Sequence, residues 1–441
     1  MITGLLNEIS TLSGDHYYGS VASLRGLLFE VTGLDGYLST GNQCLVYPAN
    51  GPPIVAEVVG FQRDRAQMMA FKPLADVGPG CRVEKIREQL TICPDKTWLG
   101  RVINGACEPL DGGPPLPFGA VEFPVAALPI PAHEKQRVRD RIDLGVRALN
   151  TFTTCCYGQR LGIFSGSGVG KSVLMSQIAR FTKADINVIG LIGERGREVR
   201  EFIEDSLDQE TLARSVIVVA TSDEPALMRR QAAYLTLAIA EYFRDQDKRV
   251  LCFLDSITRF AMALREIGLS VGEPPASKGY TPSVFSELPR LLERAGPGHK
   301  DRSGSITGIF TVLVEGDDEN EPIADAVRSI LDGHISLDRK IANRNRYPAI
   351  NVLKSISRMM PDCNDEDETS IINKARGLIA DYDDMAEMIR LGAYRPGSDV
   401  KVDQAIRFHE ALEAFLAQGK NEHIELHEGF AQLKELLGDA T

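Results

Sequence analysis

The chain has no surplus of positive charge. Its 49 Lys and Arg residues face 61 Asp and Glu, for a net charge of −12. That excludes the broad electrostatic footprint of a non-specific nucleic-acid binder and leaves room only for a local basic groove. No uninterrupted apolar run reaches the length of a bilayer span. The opening residues, MITGLLNEISTLSGDH, lack the basic start and long apolar stretch of a secretory signal. The eight cysteines, Cys44, Cys81, Cys93, Cys107, Cys155, Cys156, Cys252 and Cys363, contain no C-x-x-C and no framework spacing. They read as buried or free thiols in a reducing compartment. The expectation is a cytoplasmic chain, whose work at a membrane would need other proteins.

What remains is an ordinary globular composition, 43% hydrophobic and 25% charged over 441 residues, enough for about three domains. Leu5, Leu6, Ile9 and Leu12 fall at helical spacing, so residues 1–16 read either as a short amphipathic helix or as a frayed terminus. From residue 17 to 85, short alternating runs (SVASLRGLLFEVTG, QCLVYPA, IVAEVVGFQ, QMMAFKPL, RVEKI) are broken by Gly, Pro, Asn and Asp. That rhythm predicts a small β-barrel. Its aromatics are few and do not interleave with Lys or Arg, so it reads as structural rather than as a base-stacking platform. Residues 86–135 are Pro- and Gly-rich and read as a connecting segment with short strands. Over 142–337 apolar strands (RLGIFS, INVIGLIG, SVIVVAT, RVLCFLD, SITGIFTVLVE) alternate with helical stretches such as ALMRRQAAYLTLAIAEYFRD. Such alternation predicts an α/β fold, a mostly parallel sheet covered on both faces, with ligands at the carboxyl ends of its strands. Beyond residue 361, Ile371, Ile372, Ala375, Leu378, Ile379, Tyr382, Met385 and Ile389 mark the core stripe of a helix that opens on NDEDE.

The stretch SGSGVGKS, residues 165–172, follows an apolar strand and precedes a helical run. Gly166, Gly168 and Gly170 let the backbone around Ser167 and Val169 wrap closely, so that N–H groups converge on phosphate oxygens. Lys171 supplies a full charge for the outer phosphates, and the Ser172 hydroxyl can hold Mg²⁺. Ser165 stands where the eight-residue pattern usually has its first glycine. Asp255 ends the apolar run 250–254, which suits a carboxylate that holds Mg²⁺ opposite Ser172. Because Ser256 and not a second acid follows it, a base for water must come from elsewhere. Glu194, at the end of the next strand after the loop, is a candidate, equally readable as half of a salt bridge with Arg195. Arg358 closes YPAINVLKSISR, but spacing alone does not select it among the arginines. Tyr347 could stack on a base or be merely structural.

Together these residues carry a resemblance. GERGREVREF from Gly193, LDSITRFAMALREIG from Leu254, GEPPASKGYTPSVFSELPRLLERAG from Gly272 and PAINVLKSIS from Pro348 resemble the catalytic chains of rotary ATPases. GSGVGKS, TSDEPALMRRQAAY and LGAYRPGSDVKVDQAI resemble most the flagellar type III protein-export ATPases, in which a small non-glycine residue at the Ser165 position is common. The resemblance runs from about Val21 to the end. It implies a β-barrel (17–85), a RecA-like P-loop ATPase domain (86–360) and a helical C-terminal domain (361–441). It implies that Glu194 is the catalytic carboxylate, that Arg358 enters the neighbouring subunit's site, that Tyr347 stacks on adenine, and that Arg195 and Arg259 line the phosphate end. It implies ATP and Mg²⁺, and a homohexamer around a central stalk-like protein. It further implies a stator-like regulator at the N-terminal region and a place under the membrane export gate at the flagellar base, where export substrates and chaperones are handled. The acidic loop Asp317, Asp318, Glu319 and Glu321 then either lines a central pore or is simply solvated. Two alternatives stay open: a catalytic subunit of a proton-translocating ATP synthase, disfavoured by Gly392-Ala393-Tyr394 where that chain has an acidic motif, and a hexameric nucleic-acid translocase, disfavoured by the acidic charge.

Overall fold

The computed structural model describes residues 16–314 and 321–438. The N-terminal helix expectation and Asp317, Asp318 and Glu319 lie outside the described residues. Glu321 lies inside them: its carboxylate caps the helix Pro322–Ile330, accepting from the Ala324 N–H at 2.9 Å. That residue is a buried helix cap and not a free solvated charge.

Six strands close into a barrel: β1 Tyr18–Arg25, β2 Leu28–Thr32, β3 Gln43–Val46, β4 Ile54–Gln62, β5 Arg65–Ala70 and β6 Arg82–Arg87, in the order β1-β2-β5-β4-β3-β6. The first alternating run supplies two of them, because Gly26 adopts φ 64° and turns the chain back on itself. Inward residues such as Val21, Phe29, Val46, Val58, Met68 and Val83 fill the interior. One pairing that sequence order hides is Arg82, whose guanidinium lies 4.0 Å over the Tyr47 ring and 5.0 Å from that of Tyr18.

The central sheet contains β7 Val102–Asn104, β8 Arg160–Ser165, β9 Ile186–Ile192, β10 Ser215–Ala220, β11 Arg249–Asp255, β12 Ser305–Leu313, β13 Gly333–Leu337 and β14 Ile350–Ser357. They lie in the order β14-β13-β8-β12-β11-β9-β10-β7, with the short Gly296–Pro297 strand beside β12. Every pair along the order is parallel except β13 with β14. The order places β8, β12, β11 and β9 side by side, so the carboxyl ends of four strands far apart in sequence meet at one rim. Three members lie outside the apolar runs of the sequence: β7, one of the short strands expected in the Pro- and Gly-rich segment, and the pair β13 and β14 at one end of the sheet, which are only partly buried.

Alternation along β11 shows how the sheet is covered. Val250, Cys252 and Leu254 pack on one face with helices α2 (Ala226–Arg244) and α3 (Ile257–Ser270). Leu251 and Phe253 pack on the other, against α1 (Lys171–Phe181), the helix that follows the glycine-rich loop. The C-terminal helices are Glu366–Arg390, Val400–Leu416 and Leu426–Gly438. The first opens on a capping box between Asp365 and Glu368, which is where the acidic NDEDE run is used. Arg147 ties this bundle to the sheet domain, donating to the carbonyls of Phe415 and Ala417, both at 2.6 Å, and to Gln432 at 2.7 Å. Among the described residues no helix is long and apolar enough to cross a membrane.

Candidate active site

The site is built on the rim of β8, β12, β11 and β9. Strand β8 ends at Ser165, and the loop turns through Gly168 (φ 75°) and Gly170 (φ 93°) before the helix begins at Lys171. Both glycines sit in the left-handed region, which side chains with a Cβ avoid, so the sequence's choice of glycine there is a backbone requirement. Val169 is buried beneath the loop, whereas Ser167, Gly168 and Ser172 face solvent. A Cβ on Gly168 would meet nothing within 4 Å, so the loop borders open space.

Three charged side chains converge beside the loop. The Lys171 ammonium is hydrogen-bonded to Asp255 Oδ1 and lies 3.4 Å from Glu194 Oε1. The three side chains retain only 12%, 6% and 13% exposure for Lys171, Asp255 and Glu194. Burial works against the lysine's charge, but the two carboxylates outweigh it and hold its pKa above the ordinary value. Burial, reinforced by the neighbouring Asp255 charge, pushes the Glu194 carboxyl up to about 7. A carboxyl poised there can take a proton at neutral pH, as a general base must.

The sheet register explains the convergence. Leu191 on β9 pairs with Asp255 on β11, so Glu194, shortly beyond β9, stands next to it. Gly193 (φ 73°) makes the turn that presents Glu194, and a Cβ there would fall 2.6 Å from Arg259 Cβ. Arg259 thus packs against the backbone that carries Glu194, with its Nε buried and unpartnered. The Tyr347 ring borders the far end of the loop: a Cβ on Gly170 would come within 3.4 Å of it. The Gln418 N–H holds the Tyr347 carbonyl at 2.8 Å, linking that ring to the C-terminal bundle.

Two sequence candidates lie apart from the cluster. Arg195 is 80% exposed and its guanidinium is 3.3 Å from Glu198, turned to solvent rather than to Lys171. Arg358 follows β14, which runs antiparallel to β13, so it emerges at the amino ends of the parallel strands. Its N–H donates to Asp332 O at 2.8 Å, and the Asp332 N–H to Arg160 O at 2.9 Å, at the start of β8. The strand's rise puts it roughly 16 Å from its own loop. Two further residues escaped the sequence reading. Gly193 looked like the end of a strand, and Thr311 looked like a β-branched residue within one; its hydroxyl donates to Asp255 Oδ1 at 2.6 Å.

The donor set fits a magnesium-bound triphosphate. One ammonium against two carboxylates leaves a negative charge uncompensated, which suits a divalent cation. Ser172 offers an exposed hydroxyl, and no hydrogen bond from the described residues falls on Asp255 Oδ2.

Comparison with known proteins agrees with this geometry. Residues 145–357 match the ATP synthase alpha/beta family, nucleotide-binding domain, and residues 364–435 match the T3SS EscN ATPase C-terminal domain. The chain is 57% identical over 424 residues to the flagellum-specific ATP synthase of Caulobacter vibrioides, covering 95% of this chain and 96% of that one. It superposes with a TM-score of 0.89 and 38% identity on the assembled ATPase EscN of the enteropathogenic E. coli type III secretion system, covering 95% of this chain and all (100%) of that one. EscN in complex with its central stalk EscO gives 0.86 at 38% identity, with the same 95% and 100% coverage. With the barrel, the P-loop sheet and the helical C-terminal domain all shared, the chain belongs to the family of flagellum-specific and type III secretion ATPases within the ATP synthase alpha/beta family.

Proposed function

We propose that this chain hydrolyses Mg-ATP at the rim described above, and that hydrolysis serves export of flagellar proteins by the type III route. The observation that carries the reading is the buried cluster of Lys171, Glu194 and Asp255 beside an open glycine loop. Lys171 leaves its carboxylate partners to hold the outer phosphates, drawn by their greater charge. Ser172 and Asp255 hold Mg²⁺, which supplies charge neutralisation for the phosphate oxygens when bound. Glu194 orients a water toward the γ-phosphorus and accepts its proton as the new P–O bond forms. The bond between the γ-phosphorus and the bridging oxygen breaks, and that oxygen leaves with ADP. Gly166, Ser167, Gly168, Val169 and Gly170 offer the backbone cradle, Tyr347 a face for the adenine, and Arg259 a guanidinium near the phosphate end.

Arg358 serves a different copy of the chain in this reading. Its place at the opposite end of the sheet supports a head-to-tail ring in which one protomer's arginine completes the next protomer's site. The likeness to assembled EscN and to EscN with its central stalk EscO supports a homohexamer around a central stalk-like protein. A stator-like regulator, the membrane export gate, substrates and chaperones complete the partners, and the site of work is the cytoplasmic face of the inner membrane at the flagellar base. The synthase-subunit alternative is not favoured, since Leu391 to Tyr394 cap the tip between two C-terminal helices without an acidic motif.

Glu194→Gln tests the chemistry. Turnover should fall by at least about 100-fold, the usual share of a general base, while fluorescent Mg-ATP analogues bind with near-normal affinity. Full turnover in this variant would remove Glu194 as the base.

A further inference from the structure

Asp255 is held by two donors that do different things. Both the Lys171 ammonium and the Thr311 hydroxyl donate to Oδ1, the latter at 2.6 Å. Lys171 is required elsewhere once a nucleotide arrives; Thr311 is not. It sits on β12, fully buried, and its register with β8 and β11 is fixed on both sides: Ile163 pairs with Thr311, and Leu254 with Phe310. Just beyond it, the Leu313 N–H donates to Thr258 Oγ1 at 2.9 Å, which anchors the end of β12 to the helix that begins after Asp255. Thr311 is therefore a donor that cannot leave. Its other contact, to Leu254 O at 3.5 Å, is too long to compete.

We infer that Thr311 is a positioning residue for the metal carboxylate: when Lys171 moves to the phosphates, the Thr311 hydroxyl keeps Oδ1 occupied and aims Oδ2 at the cation. A buried carboxylate that loses its ammonium partner would otherwise be free to rotate. A β-branched side chain suits the task, because its restricted χ1 fixes the hydroxyl. Outer groups of this kind that orient a metal ligand typically change metal affinity 10- to 100-fold when removed. This inference rests on the reading of Asp255 as a Mg²⁺ ligand.

The test compares nucleotide binding with and without the metal, using the full chain and a fluorescent ADP analogue in Mg²⁺ and in EDTA. Wild-type protein should bind more tightly with Mg²⁺; equal affinity in the two buffers would sink the metal reading itself. Thr311→Val keeps shape and deletes the hydroxyl. It should reduce the Mg²⁺-dependent gain about tenfold, leave the EDTA affinity within about twofold, and raise the Mg²⁺ concentration needed for half-maximal hydrolysis. Thr311→Ser should restore the gain. An undiminished gain in Thr311→Val would overturn the inference, as would an equal loss in both buffers, which is what a purely structural threonine would produce. Should the valine variant fail to fold, Thr311→Ala carries the same comparison, since it deletes the hydroxyl without adding bulk.

Discussion

At the residue scale, the role proposed for Glu194 comes with a cost. Its carboxyl is raised from an ordinary 4.5 to about 7 by burial and by Asp255. As the proposed base it must be ionised, so kcat/KM should fall as pH drops through about 7, and a pH–rate profile reads this directly. A profile flat down to the ordinary carboxyl range would contradict it. The same shift has a stability consequence. Between 4.5 and about 7 the folded chain binds more protons at this group than the unfolded chain does, so stability declines as pH rises through that window. Above it the ionised group costs on the order of 3 kcal/mol. Glu194→Gln, inactive as an enzyme, should therefore melt at a higher temperature than wild type above that window and lose this advantage below pH 4.5. The chemistry proposed for Lys171, Ser172 and Asp255 could be read from residue type and neighbours. Thr311 could not, because its partner is 56 positions away and only strand order brings them together.

At the scale of elements, the site depends on how tightly α2 lies on β9. Gly190 is the contact: a Cβ there would fall 2.5 Å from Thr236 Oγ1 on α2 and 2.7 Å from Leu254 Cδ2 on β11. Gly190→Ala should force the helix away and destabilise the domain by about 1–3 kcal/mol, the usual cost of overpacking. Denaturant melts would register it, and an unchanged midpoint would show that the layer is softer than its packing implies. The long, largely buried strands β9 to β12 and helix α2 were legible as apolar runs and helical periodicity. Strands β13 and β14 were not, because their residues alternate between buried and partly exposed and make no continuous apolar run. Nor was the place of β7, a three-residue strand that joins this sheet by pairing with β10. The barrel was legible as a class, but the first run's division into two strands was decided by one left-handed glycine.

At the scale of the whole molecule, the position of Arg358 predicts an assembly effect. Glu194→Gln and Arg358→Ala should each be nearly inactive alone. Mixed in equal amounts and allowed to reassemble, they should recover activity, since an intact rim on one protomer can meet an intact Arg358 on the next. Random ring composition gives half times half, about a quarter of the sites. No recovery from mixtures shown to form rings would overturn the trans role of Arg358.

The sequence by itself determined the local chemistry: a glycine-rich turn between strand and helix, a carboxylate at the tip of each of two buried strands, and a helix cap in an acidic run. These follow from conformational freedom, periodicity and charge within a few residues of one another. Only the tertiary structure decided which of those groups share one buried cluster, that Arg195 turns to solvent, that Thr311 holds Asp255, and that Arg358 faces away from its own loop. Strand order and direction set those distances, and neither is written in any local stretch of the chain.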